Sequence, residues 1–257
     1  MKKVLWVSLA VLAISFFAGK TLQAKTLEEI MASVQKSADA LQTIKGKQNV
    51  KFLFEGELIT MQNEFMAKTP DKFRSITRIP IPNSKKTQEI LTVCDGTVIY
   101  QWTKKPEQEK VIKMTLASVA GKLDTYQKKF VSSGYGMADP EALLGALGSD
   151  YDIKVTGTEK LGALTMDVIQ GSLKGTGGKA AKNWLFPTPA KIKYLIGQDG
   201  FIYRIVGTDK AGAVVLDIGY AGLKFNDKTV TDKLFTFKAP KGVEVFEATE
   251  IMPFAVQ

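Results

Sequence analysis

The residue types that usually carry chemistry are scarce or badly spaced in this chain. There is no histidine among its 257 residues, which excludes Ser-His-Asp and Cys-His pairs and any histidine-ligated zinc or iron. The one cysteine, Cys94, can form neither an internal disulfide nor a thiolate cage. Ser33-Val34-Gln35-Lys36 has a serine–lysine spacing, but its partner element is reduced to Ser149-Asp150-Tyr151 and no Lys-Thr-Gly strand exists. A solvated helix face accounts for it. Gly175-Thr176-Gly177-Gly178-Lys179-Ala180 fits a dinucleotide pattern loosely, yet Trp184, Pro187 and Pro189 prevent the helix that should hold the pyrophosphate, and Ala180 stands where a phosphate loop needs Ser or Thr. Glu55 with Glu57 and Asp150 with Asp152 read as solvated turns and strand starts rather than acid–base pairs. The expectation is a protein that is not an enzyme and uses no cofactor or metal. Its formal net charge is +9, but the lysines are dispersed and no basic strand pair carries a base-stacking platform, so nucleic acid is not an expected partner.

The first twenty-four residues read as an address. Lys2 and Lys3 precede an apolar run from Val4 to Ala18, and Thr21-Leu22-Gln23-Ala24 ends in a small residue. That pattern predicts a secretory signal cleaved after Ala24. As a helix, Val4–Ala18 would reach only about 22 Å, short of the roughly 30 Å hydrocarbon core. Residues 25–257 are expected to form one exported, soluble domain.

The elements that must position any site follow from periodicity. Thr26 with Glu28 and Glu29 starts a helix whose apolar stripe is Leu27, Ile30, Met31, Val34, Ala38 and Leu41, with Gly46 as its expected stop. The period then falls to two. Strands are expected from Gln48, over Leu58–Ala67, over Phe73–Arg78, on both sides of Asp95-Gly96, and over Lys110–Met114. A helical stripe runs from Leu116 to Val131, and a second helix starts at Asp139-Pro140 and stops at Gly148. From Tyr151 the chain is strand-like to the end. The order predicts an α+β fold: a single curved antiparallel sheet, a half-open and unclosed barrel, with helices packed as a lid on its concave side. Val50–Phe54, Glu64–Ala67 and Val98–Trp102 are apolar on nearly both faces, and five methionines lie near such segments. A plain core and an open apolar pocket both fit that composition.

Several stretches, in this order, resemble the LolA family of outer-membrane lipoprotein carriers. They are Lys68-Thr69-Pro70-Asp71-Lys72-Phe73-Arg74, Cys94-Asp95-Gly96-Thr97-Val98-Ile99-Tyr100, and a closing stretch of Asp217-Ile218-Gly219-Tyr220 followed by Thr231 to Val245. The chain departs from the family at Thr69, where the best-known members carry an arginine that tethers the lid helices. The resemblance implies a monomeric periplasmic chaperone that shields the acyl chains of lipoproteins or lipids in an apolar cavity. It implies transfer from an inner-membrane ABC-type release complex to an outer-membrane acceptor. The alternative is a lipid-sensing regulatory protein of the RseB type, which shares the fold. Expected lining residues are Phe52, Phe54, Phe65, Phe73, Ile76, Leu91, Ile99 and Trp102 from the sheet, with Leu123, Leu143, Leu144 and Leu147 from the lid. Arg74 and Arg78 are expected at the lid or a head group. Strand alternation alone leaves open which face turns inward, and a shift of one residue exchanges the list.

Overall fold

A computed structural model of the chain describes residues 25–54, 56–81, 86–105, 108–120, 150–175 and 188–248. Thr26 opens helix α1, Leu27–Asp39, through a reciprocal cap: its hydroxyl accepts from the Glu29 amide at 3.2 Å, while the Glu29 carboxylate accepts from the Thr26 amide at 2.7 Å. The helix stops at Asp39, before the expected Gly46, because tertiary partners end it. The Asn226 side chain accepts from the Gln42 amide at 2.7 Å and donates to the Ala40 carbonyl at 3.1 Å, turning the chain directly into a strand. Gly46 therefore lies inside that strand. A Cβ there would meet Leu223 at 2.7 Å and the Phe65 ring at 3.3 Å, so glycine gives these side chains room.

Six strands follow in meander order: β1 Thr43–Phe54, β2 Glu57–Lys68, β3 Lys72–Pro80, β4 Thr87–Asp95, β5 Val98–Lys105 and β6 Gln108–Thr115. A short helix, α2, covers Leu116–Ala120. The rest of the expected 116–131 helix and the whole 139–148 helix lie outside the described residues, as do Leu123, Leu143, Leu144 and Leu147. Five more strands complete a second meander: β7 Tyr151–Leu161, β8 Leu164–Leu173, β9 Lys191–Gly197, β10 Ile202–Thr208 and β11 Val214–Phe225. The last element, β12 Val245–Glu247, is preceded by a single 3-10 turn at Asp232–Phe235.

All twelve strands form one sheet in the order β12-β6-β5-β4-β3-β2-β1-β11-β10-β9-β8-β7. β1 and β11 join the two meanders edge to edge, and the end strands β12 and β7 do not pair, so the sheet is unclosed. One expectation is corrected: the sheet is only mostly antiparallel, because β12 lies parallel to β6. A strand arriving from a long return segment, rather than through a hairpin, is free to add in either direction.

α1 packs against the second meander. Ile30 and Val34 are fully buried against Ile169, Ile192, Tyr194, Ile196, Ile202 and Ile205. Gly200, at φ +78°, allows the β9–β10 turn to touch the helix backbone, since a Cβ there would sit 2.5 Å from the Ser33 carbonyl oxygen. Among the described residues no helix is long and apolar enough to cross a membrane.

Candidate functional site

Directly opposed residues on paired strands share a face, and alternate residues along a strand share it too. The registers therefore sort the side chains without ambiguity. On the face that carries α1, the first row runs Ile44, Ala67, Phe73, Cys94, Ile99 and Met114 from β1 to β6. The second row is Gly46, Phe65, Ser75, Thr92, Gln101 and Ile112, and the third is Tyr220, Gln48, Asn63, Thr77, Ile90 and Thr103. A fourth row holds Ile218, Val50 and Met61, and a fifth Leu216, Phe52 and Ile59.

The rows differ in chemistry and in burial. The first is a filled core: Ile44, Ala67, Phe73, Cys94, Ile99 and Met114 pack with Leu41, Phe201 and the second-row Phe65 and Ile112, and Phe201 stacks on Phe225 with ring centroids 3.7 Å apart. The fourth and fifth rows form a separate cluster, in which Val50, Phe52 and Leu216 are buried but Ile59, Met61 and Ile218 are only half-buried. Between the two apolar zones lies a polar band. Its third row is hydrogen-bonded across four strands: Thr77 donates to Asn63 at 3.4 Å, Asn63 to Gln48 at 3.3 Å, and Gln48 to the Tyr220 hydroxyl at 3.0 Å. Asn63, Ser75, Thr77, Thr92 and Thr103 are all buried.

The sequence-expected lining residues do not form one patch. Phe52, Phe65, Phe73 and Ile99 share the α1 face, and the register places Phe54 there too, its side chain lying outside the description. Ile76, Leu91 and Trp102 point to the opposite face, together with Arg74 and Arg78. The conflict was present in the spacing: Phe73 and Ile76 are three residues apart on one strand, an odd separation that no single face accommodates.

That opposite face is occupied by other things. Phe237 lies over Tyr100 and Trp102, with centroid distances of 5.1 and 6.2 Å, and Phe235 beside it is 1% exposed. Asp232 bonds Lys68 at 3.0 Å and Lys72 at 2.8 Å, fastening this returning segment beside the Thr69-Pro70 turn. The two ammonium groups hold the Asp232 carboxyl below the usual carboxylate range, Lys72 most strongly. Thr69 donates to the Gln42 carbonyl at 3.3 Å and so ties the turn to the start of β1. Arg78 belongs to an ion ladder, reaching Glu64 at 3.0 Å and Glu89 at 3.3 Å, and Lys104 reaches Glu89 at 3.2 Å. The Glu64 hydrogen bond is the main reason its guanidinium is held more firmly protonated than usual.

Burial pushes the Cys94 thiol up to about 11, away from thiolate chemistry. Among the described residues, no three His, Cys, Asp or Glu side chains gather as a metal-ligand group. Sequence reasoning missed the buried polar residues Asn63, Ser75, Thr77, Thr92 and Thr103 and the half-buried Gln48 bonded to them. Their signal was the repeat Phe73-x-Ser75-x-Thr77-x-Ile79 on one strand, which puts hydroxyls on a face otherwise built of apolar groups.

No family model matches the sequence, and no curated protein matches it. Solved structures do. The chain is similar to an uncharacterized conserved protein from Thermus thermophilus, at 13% identity and a TM-score of 0.48, over 86% of this chain and 98% of that one. A chain of the Pseudomonas aeruginosa MucA/MucB complex is similar at 12% identity and a TM-score of 0.46, over 81% of this chain and 61% of that chain. A LolA superfamily protein from Nitrosomonas europaea is similar at 14% identity and a TM-score of 0.31, over 83% of this chain and 99% of that one.

Proposed function

We propose that the protein is an exported, non-catalytic carrier that shields the acyl chain of a lipoprotein or lipid on the α1 face of its sheet. The observation that carries this reading is the apolar track of the fourth and fifth rows. Val50, Phe52, Ile59, Met61, Leu216 and Ile218 form a cluster of their own, and three of the six are left half-buried. From the second row to the fifth is six residues along β2, about 20 Å at 3.4 Å each. An acyl chain in a membrane spans one leaflet, half of the roughly 30 Å hydrocarbon core, so one chain fits along this stretch of the face with its far end on the apolar track.

The energetics require such a track. A sixteen-carbon chain exposes about fifteen methylenes at about 0.8 kcal/mol each, on the order of 12 kcal/mol. It cannot cross an aqueous compartment bare. The signal-like residues 1–24 and the resemblance of the motifs to lipoprotein carriers support the same reading, with the periplasm as the compartment and the outer membrane as the destination.

Native purification from the periplasm followed by mass spectrometry of the co-purifying material tests the proposal. Acylated lipoproteins or lipids in stoichiometric amount support it, and a preparation free of acyl chains overturns it. Depletion then separates transport from regulation: loss of a carrier strands lipoproteins in the inner membrane, whereas loss of a regulator changes stress transcription.

A further inference from the structure

A track that had only to hold hydrocarbon would be apolar throughout, yet the second row of this face carries Ser75, Thr92 and Gln101 between Phe65 and Ile112, and the third carries Gln48, Asn63, Thr77 and Thr103 around Ile90. The cost is visible at Ser75. Its side chain is buried, with the residue 1% exposed, and among the described residues its hydroxyl has no hydrogen-bond partner. A buried hydroxyl left unpaired is destabilising, and such groups in a folded protein call for an explanation. Alanine at this position would avoid the cost.

The surrounding band defines what a partner must be. The chain Thr77 to Asn63 to Gln48 to Tyr220 runs in one direction, so the Asn63 and Gln48 oxygens each accept a hydrogen bond, while each amide spends only one of its two N–H donors. With the Ser75 hydroxyl, the band offers donors, which selects a ligand group that accepts. Charge narrows the class further. In the first three rows, the α1 face of β1 to β5 carries no Asp, Glu, Lys or Arg; the registers place charged positions on that face only outside this area, with Lys105 at the end of β5 and Lys110 opposite Thr103 on β6. A carboxylate or phosphate buried there would lack a counter-charge. The remaining common acceptor on an acylated molecule is the neutral carbonyl by which the chain is attached.

We infer that the polar band is a binding subsite for the ester or amide carbonyl of the acyl chain, with the Ser75 hydroxyl as its principal donor. This rests on the carrier reading above and deepens it. The placement is consistent along the strand: Ser75 lies in the second row, and the apolar track starts two rows further on. A carbonyl at the band would send its chain past Val50 and Met61 toward Phe52 and Ile59.

The test compares purified wild-type protein with Ser75→Ala against four probes of equal chain length: palmitoyl glycerol, N-palmitoyl ethanolamine, the ether 1-O-hexadecyl glycerol, and palmitate. Wild type is expected to bind the ester and the amide more tightly than palmitate. Ser75→Ala should weaken ester and amide binding by about two- to tenfold, the worth of one hydrogen bond, and leave the ether within about twofold. The ligand-free variant should melt at the same temperature as wild type or higher, because a buried unpaired hydroxyl has been removed. An equal effect on ester and ether overturns the inference, as does a ligand-free variant that melts lower, since the hydroxyl would then be structural. A wild-type protein that prefers palmitate also overturns it while leaving the carrier reading intact. If wild type binds none of the four, the carrier reading itself fails and this subsite with it.

Discussion

Phe52 and Leu91 provide the sharpest test of which face does the work. Both are buried, at 6% and 7% exposure, and both are apolar residues of the first meander, but the registers put them on opposite sides of the sheet. Phe52→Ala should cost about 3–5 kcal/mol of stability and Leu91→Ala about 2–5 kcal/mol. Against a total of about 5–15 kcal/mol, either variant retains a folded population in the cold, so urea titration at low temperature can place the two on one stability scale. Binding should part them. Phe52 stands at the far end of the acyl track, and its ring replaces water over about two methylenes, or about 1.6 kcal/mol. Phe52→Ala should therefore weaken an acyl probe about tenfold, and Leu91→Ala by less than about twofold once the folded fraction is known. Fluorescence displacement of a bound fatty-acyl probe measures both. Equal weakening by the two variants, or weakening by Leu91→Ala alone, would refute the assignment of the track to the α1 face.

Two other substitutions report on how the face is held, one of them through pH. Gly200→Ala places a Cβ 2.5 Å from the Ser33 carbonyl oxygen at a φ of +78°, so it should detach α1 from the β9–β10 turn and destabilise the protein by more than 1 kcal/mol. Hydrogen exchange at the α1 amides should rise with it, and a silent variant would contradict the packing. Asp232, held below its ordinary range by Lys72 and Lys68, contributes stability that is present above its unfolded value of about 3.9 and is lost as pH falls through its lower folded value. Acidification below about pH 4 should therefore loosen the returning segment, read by the emission of Trp102 under Phe237, and Asp232→Asn should abolish that transition.

Local signals were legible where the chain satisfies its own backbone within a few residues. The cap at Thr26 with Glu29, the buried stripe positions Ile30 and Val34, and the Asp95-Gly96 turn all lie in short windows, and the structure has them as the periodicity predicts. The errors share a physical cause: partners distant along the chain. α1 stops early where the Asn226 side chain donates to the Ala40 carbonyl and accepts from the Gln42 amide that follows. β12 runs parallel because it returns to the β6 edge from the far side of the chain. Alternation gives two faces but does not say which one a returning segment covers. Phe235 and Phe237 make that decision, closing over the Tyr100 and Trp102 side.

The same division explains why one sheet can have two sides so different in character. On the side away from α1, polar groups are neutralised in pairs: Glu64 and Glu89 with Arg78, Glu89 with Lys104, and Asp217 with Arg204 at 2.9 Å. Half-exposed ion pairs of this kind are worth little, and they suit a surface that meets water or a short strap. On the α1 side of β1 to β3 the polar groups are uncharged: Thr77, Asn63 and Gln48 are hydrogen-bonded in a single direction toward Tyr220, and among the described residues the buried Ser75 hydroxyl is left over. Buried networks are costly when incomplete, so an incomplete one between two apolar zones is the arrangement expected where an amphiphile supplies the missing acceptor. A carrier must also let go. A carbonyl held by one or two neutral hydrogen bonds adds about 1 kcal/mol each to hydrocarbon burial, enough to set the register of the chain on the track without locking it there.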